Sequence, residues 1–308
     1  MTLHPQAAAH LAETTGAPGV AAMTVPEARL AVLGYLDMQR PSPEGVEVEH
    51  RFVVGPTADL PVRIMRARKA PLPAPAVIVL HGSGWVIGNI DLVDEPAAVL
   101  ARDTGFAVVT VNYQKAPEHR FPTPLDDCVA AIRWVHDNAA ELGVDPTRIA
   151  VIGDSAGGNL AAAATAELRA AGVPIAAQAL IYPPLDRLCE SGSYLEFASG
   201  YGLDAADMKW FWEHYVDEDL ADDPRVSPLR AADFSVWPAT FVATAGYDVL
   251  RDEGESYAAK LRRAGVPVTA KRYDGAIHGF YLMDAVLDES RELQRDLARF
   301  LVDVLGGS

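Results

Sequence analysis

Short apolar runs alternate along most of the chain with longer stretches of helical periodicity. The apolar runs predict strands at 76–80, 106–111, 149–152, 179–181, 240–243 and 268–273. The stretches between them predict helices at 92–104, 124–138 (opened by Thr123), 156–171, 252–264 and 289–305. Wholly apolar strands that alternate with helices are typical of a parallel sheet covered on both faces.

The first 65 residues follow a different pattern. Thr24 and Glu27 form a capping-box pair, and Pro26 suits a first turn, so a helix should begin here. The segments 46–54 and 60–65 alternate apolar and polar residues on either side of a Gly-Pro-Thr turn. They predict a β-hairpin at one edge, which makes the sheet mixed.

The stretch 188–234 interrupts the alternation of strands and helices and combines aromatic residues with many acids. We interpret it as an inserted helical lid packed against the N-terminal helices. The alternative is a surface excursion whose aromatic side chains pack on the main core. The predicted organisation is a helical cap segment at 1–45 and an α/β domain at 46–308, with 188–234 as a lid within it.

Composition narrows the range of partners and compartments. The 308 residues are 50% hydrophobic and have a formal net charge of -16. An acidic chain is a poor ligand for nucleic acids and anionic membranes, so neither is expected as a partner. The chain has only two cysteines, no Lys or Arg in the first 22 positions and no long apolar run. These features favour a soluble, cytoplasmic protein.

The sequence Gly-Asp-Ser-Ala-Gly at 153–157 matches the pattern G-x-S-x-G. It follows a predicted strand directly and opens a predicted helix, as a nucleophile elbow requires. The flanking glycines allow the sharp turn that presents a hydroxyl above the sheet. Ser155 is therefore the candidate nucleophile.

A serine nucleophile needs a histidine base oriented by a carboxylate, and in this architecture the chain order is Ser, acid, His. His214 and His278 are the only histidines after Ser155. His278 is favoured because it lies on a loop after a predicted strand. Asp248 holds the matching position one βαβ unit earlier.

Three other carboxylates compete with Asp248 for the acid role. Asp252 and Glu253 lie at a helix start, where acids are ordinary caps. Asp274 lies on the same loop as the candidate base. The segment 81–85, His-Gly-Ser-Gly-Trp, follows the first core strand and predicts an oxyanion hole formed by the backbone N–H groups of Gly82, Ser83 and Ala156.

The chain resembles the bacterial hormone-sensitive-lipase-like esterases. Four motifs occur in the family's order: His-Gly-Ser-Gly-Trp at 81–85, Asn-Tyr-Gln-Lys-Ala-Pro-Glu-His at 112–119, Gly-Asp-Ser-Ala-Gly-Gly-Asn at 153–159 and Ile-His-Gly-Phe at 277–280. The resemblance implies the α/β-hydrolase fold and hydrolysis of short- to medium-chain acyl esters, without metal or cofactor. It also implies a possible homodimer. Ser83 departs from the family, which usually has glycine there.

Several alternatives stay open at this stage. An amidase or a lactone hydrolase would use the same triad, and a non-catalytic binding protein could share the fold. We expect Trp85, Trp210 and Trp212 to wall the substrate pocket and to limit the length of the acyl chain.

Overall fold

One mixed β-sheet organises the molecule. The computed structural model describes residues 2–235 and 237–306, and the other four residues, which fall within the predicted domain ranges, lie outside the described part. The strands within it are β1 Val46–Val54, β2 Asp59–Ala67, β3 Ala74–Leu80, β4 Ala107–Val111, β5 Val144–Asp154, β6 Ala177–Ile181, β7 Ala239–Tyr247 and β8 Val268–Ile277. They pair in the order β1-β2-β4-β3-β5-β6-β7-β8.

The strands β3 to β8 run parallel, whereas β2 is antiparallel to both β1 and β4. The predicted edge hairpin and the mostly parallel mixed sheet are therefore confirmed. Every residue of β3, β4 and β6 is buried. Strands buried along their whole length are covered on both faces, as their apolar sequences require.

Helices fill the connections. They are α1 Pro5–Glu13, α2 Val25–Ala31, α3 Asp94–Thr104, α4 Thr123–Asp137, α5 Ala156–Ala170, α6 Gly192–Glu196, α7 Ala205–Tyr215, α8 Arg251–Arg263 and α9 Asp288–Leu305. Short 3₁₀ segments lie at Val20–Ala22, Val32–Met38, Ile90–Val93, Glu218–Leu220, Pro228–Arg230 and Phe280–Leu282. Among the described residues, no helix has both the length and the apolar character needed to cross a membrane.

The strands β7 and β8 extend further than the sequence predicted. Pairing continues past an irregularity after Ala245, so that Tyr247 still pairs with Ile277. Asp248 and His278 consequently follow their strands directly. The side chains after these strands project at the carboxyl edge of the sheet, where ligands bind in open α/β folds.

The helices α2 and α4 both begin where the sequence predicts, but of the two only α2 has a side-chain cap. The Thr24 N–H donates to Glu27 at 2.8 Å and the Thr24 side chain accepts from the Glu27 N–H, which completes the capping box. Thr123, by contrast, is the first residue of α4 and no side chain caps that helix. The preceding Pro122 supplies the turn into α4 instead.

The N-terminal segment and the 188–234 stretch are joined to each other. The Ala21 N–H donates to Asp207 Oδ1 at 2.9 Å, and Asp207 lies in the first turn of α7. A side chain at Gly19 would lie only 2.7 Å from the same carboxylate oxygen. This close approach brings the 3₁₀ segment Val20–Ala22 onto α7.

Candidate active site

The turn between β5 and α5 holds Ser155 in a strained conformation, with φ 51° and ψ -125°. Side chains at Gly153 or Gly157 would collide with backbone atoms of neighbouring segments. The Ser155 N–H donates to Ile181 O at 2.8 Å. A strained turn that its surroundings fix in this way is typical of a nucleophile elbow.

Ser155, His278 and Asp248 form a continuous hydrogen-bonded series. His278 Nε2 lies 3.0 Å from Ser155 Oγ, and His278 Nδ1 lies 2.8 Å from Asp248 Oδ2. Asp248 is 1% exposed, and its other oxygen accepts the Leu250 N–H at 2.9 Å. The ring of Tyr182 contacts the imidazole, with centroids 4.5 Å apart. The structure thus brings the three predicted side chains together.

The competing residues have other partners. His214 Nδ1 lies 2.8 Å from the carbonyl oxygen of Trp210 in its own helix. Asp252 and Glu253 accept backbone N–H groups between β6 and α7. Asp274 is exposed on β8. Each is therefore bonded elsewhere or turned to solvent.

The predicted oxyanion donors require one correction. The Gly82 N–H donates to Asp154 Oδ1 at 2.9 Å, so it is occupied and unavailable to a substrate. Ser83 and Gly84 both line the cavity beside Ser155. In the described part of the chain, no hydrogen bond uses the N–H of Ser83, Gly84 or Ala156. Gly84, which the sequence interpretation missed, is thus a candidate donor in place of Gly82.

Three successive residues of this loop have left-handed backbone conformations. The φ angles are 81° at Ser83, 60° at Gly84 and 61° at Trp85. The ring of Phe211 packs so closely on Gly84 that a side chain there would overlap it. Two of the three positions therefore hold L-residues in a conformation that favours glycine.

Burial raises the pKa of two groups near the triad. Asp154, 3% exposed, has its pKa raised by burial to about 6, although the Gly82 N–H and the charge of His278 both act to lower it. Burial, followed by the charges of Asp154 and Asp248, raises the pKa of Tyr35 to about 12. Tyr35 therefore stays a neutral hydrogen-bond donor at physiological pH.

The Tyr35 hydroxyl points toward the residue after the candidate base. A side chain at Gly279 (φ 80°) would lie 2.5 Å from the hydroxyl oxygen. Tyr35 lines the same cavity as Ser155 and His278. None of the hydrogen bonds within residues 2–235 and 237–306 involves this hydroxyl. It is free to bond to a bound molecule.

The cavity beside Ser155 and His278 has a volume of about 260 Å³. The N-terminal segment and the 188–234 stretch both contribute to its walls. The larger apolar side chains of its lining are Val20, Met23, Val32, Ile87, Leu203, Met208, Phe211 and Leu282. The space is small and predominantly apolar, and its polar lining includes Asp154 and Asp207 beside Ser155 and His278.

None of the three tryptophans expected in the pocket wall lines this cavity. Trp85 is fully buried and stacks on Tyr215, with centroids 4.5 Å apart, and against Trp212 at 4.2 Å. Trp210 lies against His214 instead. Trp85, Trp212 and Tyr215 thus form an aromatic cluster outside the cavity wall.

The geometry of α7 explains the difference. Residues three or four positions apart share one face of a helix. Met208, Phe211, Trp212 and Tyr215 therefore form one buried stripe. Met208 and Phe211 line the cavity, whereas Trp212 and Tyr215, one turn further along the same stripe, contact Trp85. The periodicity of α7 therefore shows which face is buried, but not which part of that face meets the cavity.

Comparisons with known proteins agree with this geometry. Residues 77–282 match the family described as "alpha/beta hydrolase fold". The carboxylic ester hydrolase LipN of Mycobacterium tuberculosis is 38% identical over 243 residues, which cover 76% of this chain and 64% of LipN. The ethyl acetate hydrolase of Pseudomonas putida is 39% identical over 240 residues, covering 76% of this chain and 75% of that protein.

A solved structure is similar over almost the whole molecule. The ester hydrolase EH1AB1 from the Lake Arreo metagenome, in complex with a bipyridine phosphonate derivative, superposes with a TM-score of 0.95. It is 40% identical and covers 99% of this chain and 100% of that chain. The expected resemblance to the hormone-sensitive-lipase-like esterases is thereby confirmed, and the chain belongs to the α/β-hydrolase family.

Proposed function

We propose that the chain hydrolyses carboxylic esters through an acyl-enzyme formed on Ser155. The observation that supports this most directly is the unbroken series of hydrogen bonds from Ser155 through His278 to the buried Asp248. A serine hydroxyl becomes nucleophilic when an oriented imidazole can accept its proton. Relatives named for the hydrolysis of carboxylic esters and of ethyl acetate support the same reaction class.

In the first half-reaction, His278 Nε2 takes the proton of Ser155 as Oγ attacks the ester carbonyl carbon. Asp248 holds the Nδ1–H and stabilises the imidazolium. The N–H groups of Ser83, Gly84 and Ala156 receive the negative charge on the carbonyl oxygen. Collapse of the tetrahedral intermediate breaks the bond to the alcohol oxygen, which leaves with the proton from His278.

In the second half-reaction, water attacks the acyl-enzyme. His278 takes the water proton, and the same three N–H groups receive the oxyanion. The carboxylic acid departs as Ser155 recovers its proton from the imidazolium. No step needs a metal ion or an organic cofactor.

The cavity favours small esters. Its volume of about 260 Å³ lies just below the usual range for small-molecule sites, roughly 300–1,000 Å³. We assign the segment 1–45 and the stretch 188–234 the role of a cap, because both contribute apolar side chains to the wall. The Tyr35 hydroxyl supplies one polar contact for the bound ester.

The decisive experiment measures hydrolysis of acetate and butyrate esters alongside matched amides and lactones. We expect the wild type to hydrolyse the esters. In Ser155→Ala and His278→Ala, kcat should fall by a factor of about 10⁴ or more. Asp248→Asn should lose several orders of magnitude while circular dichroism stays unchanged. Faster turnover of the amides or the lactones would replace the ester assignment, and full activity in Ser155→Ala would overturn the mechanism.

Two finer features of this proposal come from the sequence. A homodimer is expected from the family resemblance, and a cytoplasmic location from the composition. The cysteines are both free, with Cys128 buried, as a reducing compartment would permit. Both features stay predictions.

A further inference from the structure

The loop that offers the oxyanion donors needs support from outside itself. Ser83, Gly84 and Trp85 have φ angles of 81°, 60° and 61°. Residues other than glycine pay about 1 kcal/mol or more for such a conformation. A loop of this kind keeps its shape only when neighbouring groups hold its carbonyls and N–H groups in place.

Two supports come from the segment after β4. The Ala116 N–H donates to Trp85 O at 3.1 Å. The hydroxyl of the buried Tyr113 donates to His81 O at 2.8 Å, and its ring stacks on the His81 imidazole. Tyr113 and Ala116 are both fully buried in the α/β core, so neither support comes from the N-terminal segment.

A third support comes from the N-terminal segment. Arg29, in α2, donates from Nε to Val86 O at 3.0 Å and from Nη2 to Ala116 O at 3.1 Å. The same guanidinium bonds both carboxylate oxygens of Glu118, at 2.8 and 2.6 Å. One planar group thus connects the oxyanion loop to the segment that carries its core supports.

We propose that Arg29 is a positioning residue that links docking of the N-terminal segment to the shape of the oxyanion hole. The inference rests on the proposed ester hydrolysis. When α2 is docked, the guanidinium holds the carbonyl of Val86. The Val86 and Ile87 N–H groups in turn donate to Ser83 O at 3.2 and 3.1 Å, which fixes the peptide that follows Ser83. That peptide includes the Gly84 N–H.

The exposure of the pair shows why the effect should fall on catalysis more than on folding. The side chains of Arg29 and Glu118 are 33% and 53% exposed. Ion pairs at such positions contribute little to the free energy of unfolding. Charge-assisted bonds to a carbonyl are directional, however, and a donor misplaced by a fraction of an ångström loses much of its effect on an oxyanion.

The test compares Arg29→Gln with the wild type on one short ester. Arg29→Gln should lower kcat by about 10- to 100-fold, since loss of a whole oxyanion donor costs 10²–10³. KM should change by less than about threefold, because the oxyanion forms only in the transition state. Inactivation by a serine-directed phosphonate should slow in parallel. Arg29→Lys keeps the charge but not the planar guanidinium, so its kcat should lie between those of the wild type and Arg29→Gln.

A matched control is Arg68→Gln, since Arg68 is an exposed arginine directly after β2 that also forms an ion pair, with Glu47. It should match the wild type in all three measurements. An unchanged kcat in Arg29→Gln would overturn the inference. If KM rises while kcat stays the same, Arg29 serves substrate binding alone, and the inference is likewise wrong. An equal fall in kcat and in the folded fraction would also overturn it. A wild type inactive on every ester would instead refute the proposed function.

Discussion

The Gly82 N–H donates to Asp154 Oδ1 at 2.9 Å, which joins the loop after β3 to the turn that presents Ser155. A side chain at Gly82 would overlap this carboxylate, so the approach depends on glycine. The bond takes Gly82 out of the oxyanion hole and leaves Ser83 and Gly84 facing the cavity. The residue before the nucleophile therefore determines which N–H groups of the neighbouring loop stay available.

The buried Asp154 carboxylate predicts a pH-dependent stability difference. Burial raises its pKa from 3.8 to about 6 in the folded state, so the protonated form is favoured by folding. Its contribution to stability is present below pH 3.8 and is lost as the pH rises through 6. Asp154→Asn mimics the protonated form and keeps an oxygen acceptor for the Gly82 N–H. At pH 8 it should raise the free energy of unfolding by up to about 3 kcal/mol.

Urea unfolding of both proteins from pH 8 to pH 4 checks this expectation. The advantage of Asp154→Asn should shrink as the pH falls through 6. The control Asp219→Asn removes an exposed carboxylate and should show no such trend. If Asp154→Asn is less stable than the wild type at pH 8, the hydrogen bonds and charges around the Asp154 carboxylate stabilise it by more than its burial destabilises it.

Local patterns were sufficient to predict the sheet and to bring Ser155, Asp248 and His278 together. Apolar runs mark strands, and side chains after parallel strands meet at one edge of the sheet. The occupied Gly82 N–H was not predictable, because its partner lies 72 positions away and is set by how two loops pack. The pocket wall was not predictable either, since Phe211 and Trp212 lie on the same buried face of α7 and only tertiary packing decides which of them meets the cavity.

Phe211 predicts the acyl-chain preference. Its ring packs against Gly84 and lines the cavity of about 260 Å³. We expect the wild type to have a higher kcat/KM on acetate and butyrate esters than on dodecanoate. Phe211→Ala should move the optimum to longer chains, because it removes a large part of the wall. Trp210→Ala, on the same helix but outside the cavity lining, is the matched control and should keep the wild-type preference. A preference that rises steadily with chain length in the wild type would favour a lipase.

The mechanism also predicts insensitivity to chelators. The chemistry proposed for Ser155 and His278 uses only side chains and backbone N–H groups. Dialysis against EDTA should leave kcat/KM unchanged, while a phosphonate directed at serine should abolish turnover. Loss of activity on chelation and recovery with zinc would place the reaction in a different class.

Ser83 and Gly88 predict an energetic coupling across the oxyanion loop. The Ser83 side chain lies against the backbone of Gly88, where an added Cβ would be 2.7 Å from Ser83 Cβ and closer still to its hydroxyl. Gly88→Ala should therefore destabilise the wild type by about 1–3 kcal/mol, as other overpacked sites do. In a Ser83→Gly background the cost should be smaller, because the two closest atoms are removed and the next is Gly82 O, at 3.1 Å. A double-mutant cycle in urea should give a coupling of about 1 kcal/mol.

Ser83→Gly alone separates the backbone of this residue from its hydroxyl. With φ at 81°, glycine relieves strain, but it also gains entropy in the unfolded chain, so stability should change by no more than about 1 kcal/mol. The N–H that receives the oxyanion is kept, so kcat should stay within about tenfold of the wild type. Ser83→Pro removes that N–H and should lower kcat by about 10²–10³. A hundredfold loss of kcat in Ser83→Gly, with circular dichroism unchanged, would mean that the hydroxyl itself contacts the oxyanion or the leaving group. Additive costs in the double-mutant cycle with Gly88→Ala would mean that the Ser83 side chain does not occupy the space beside Gly88.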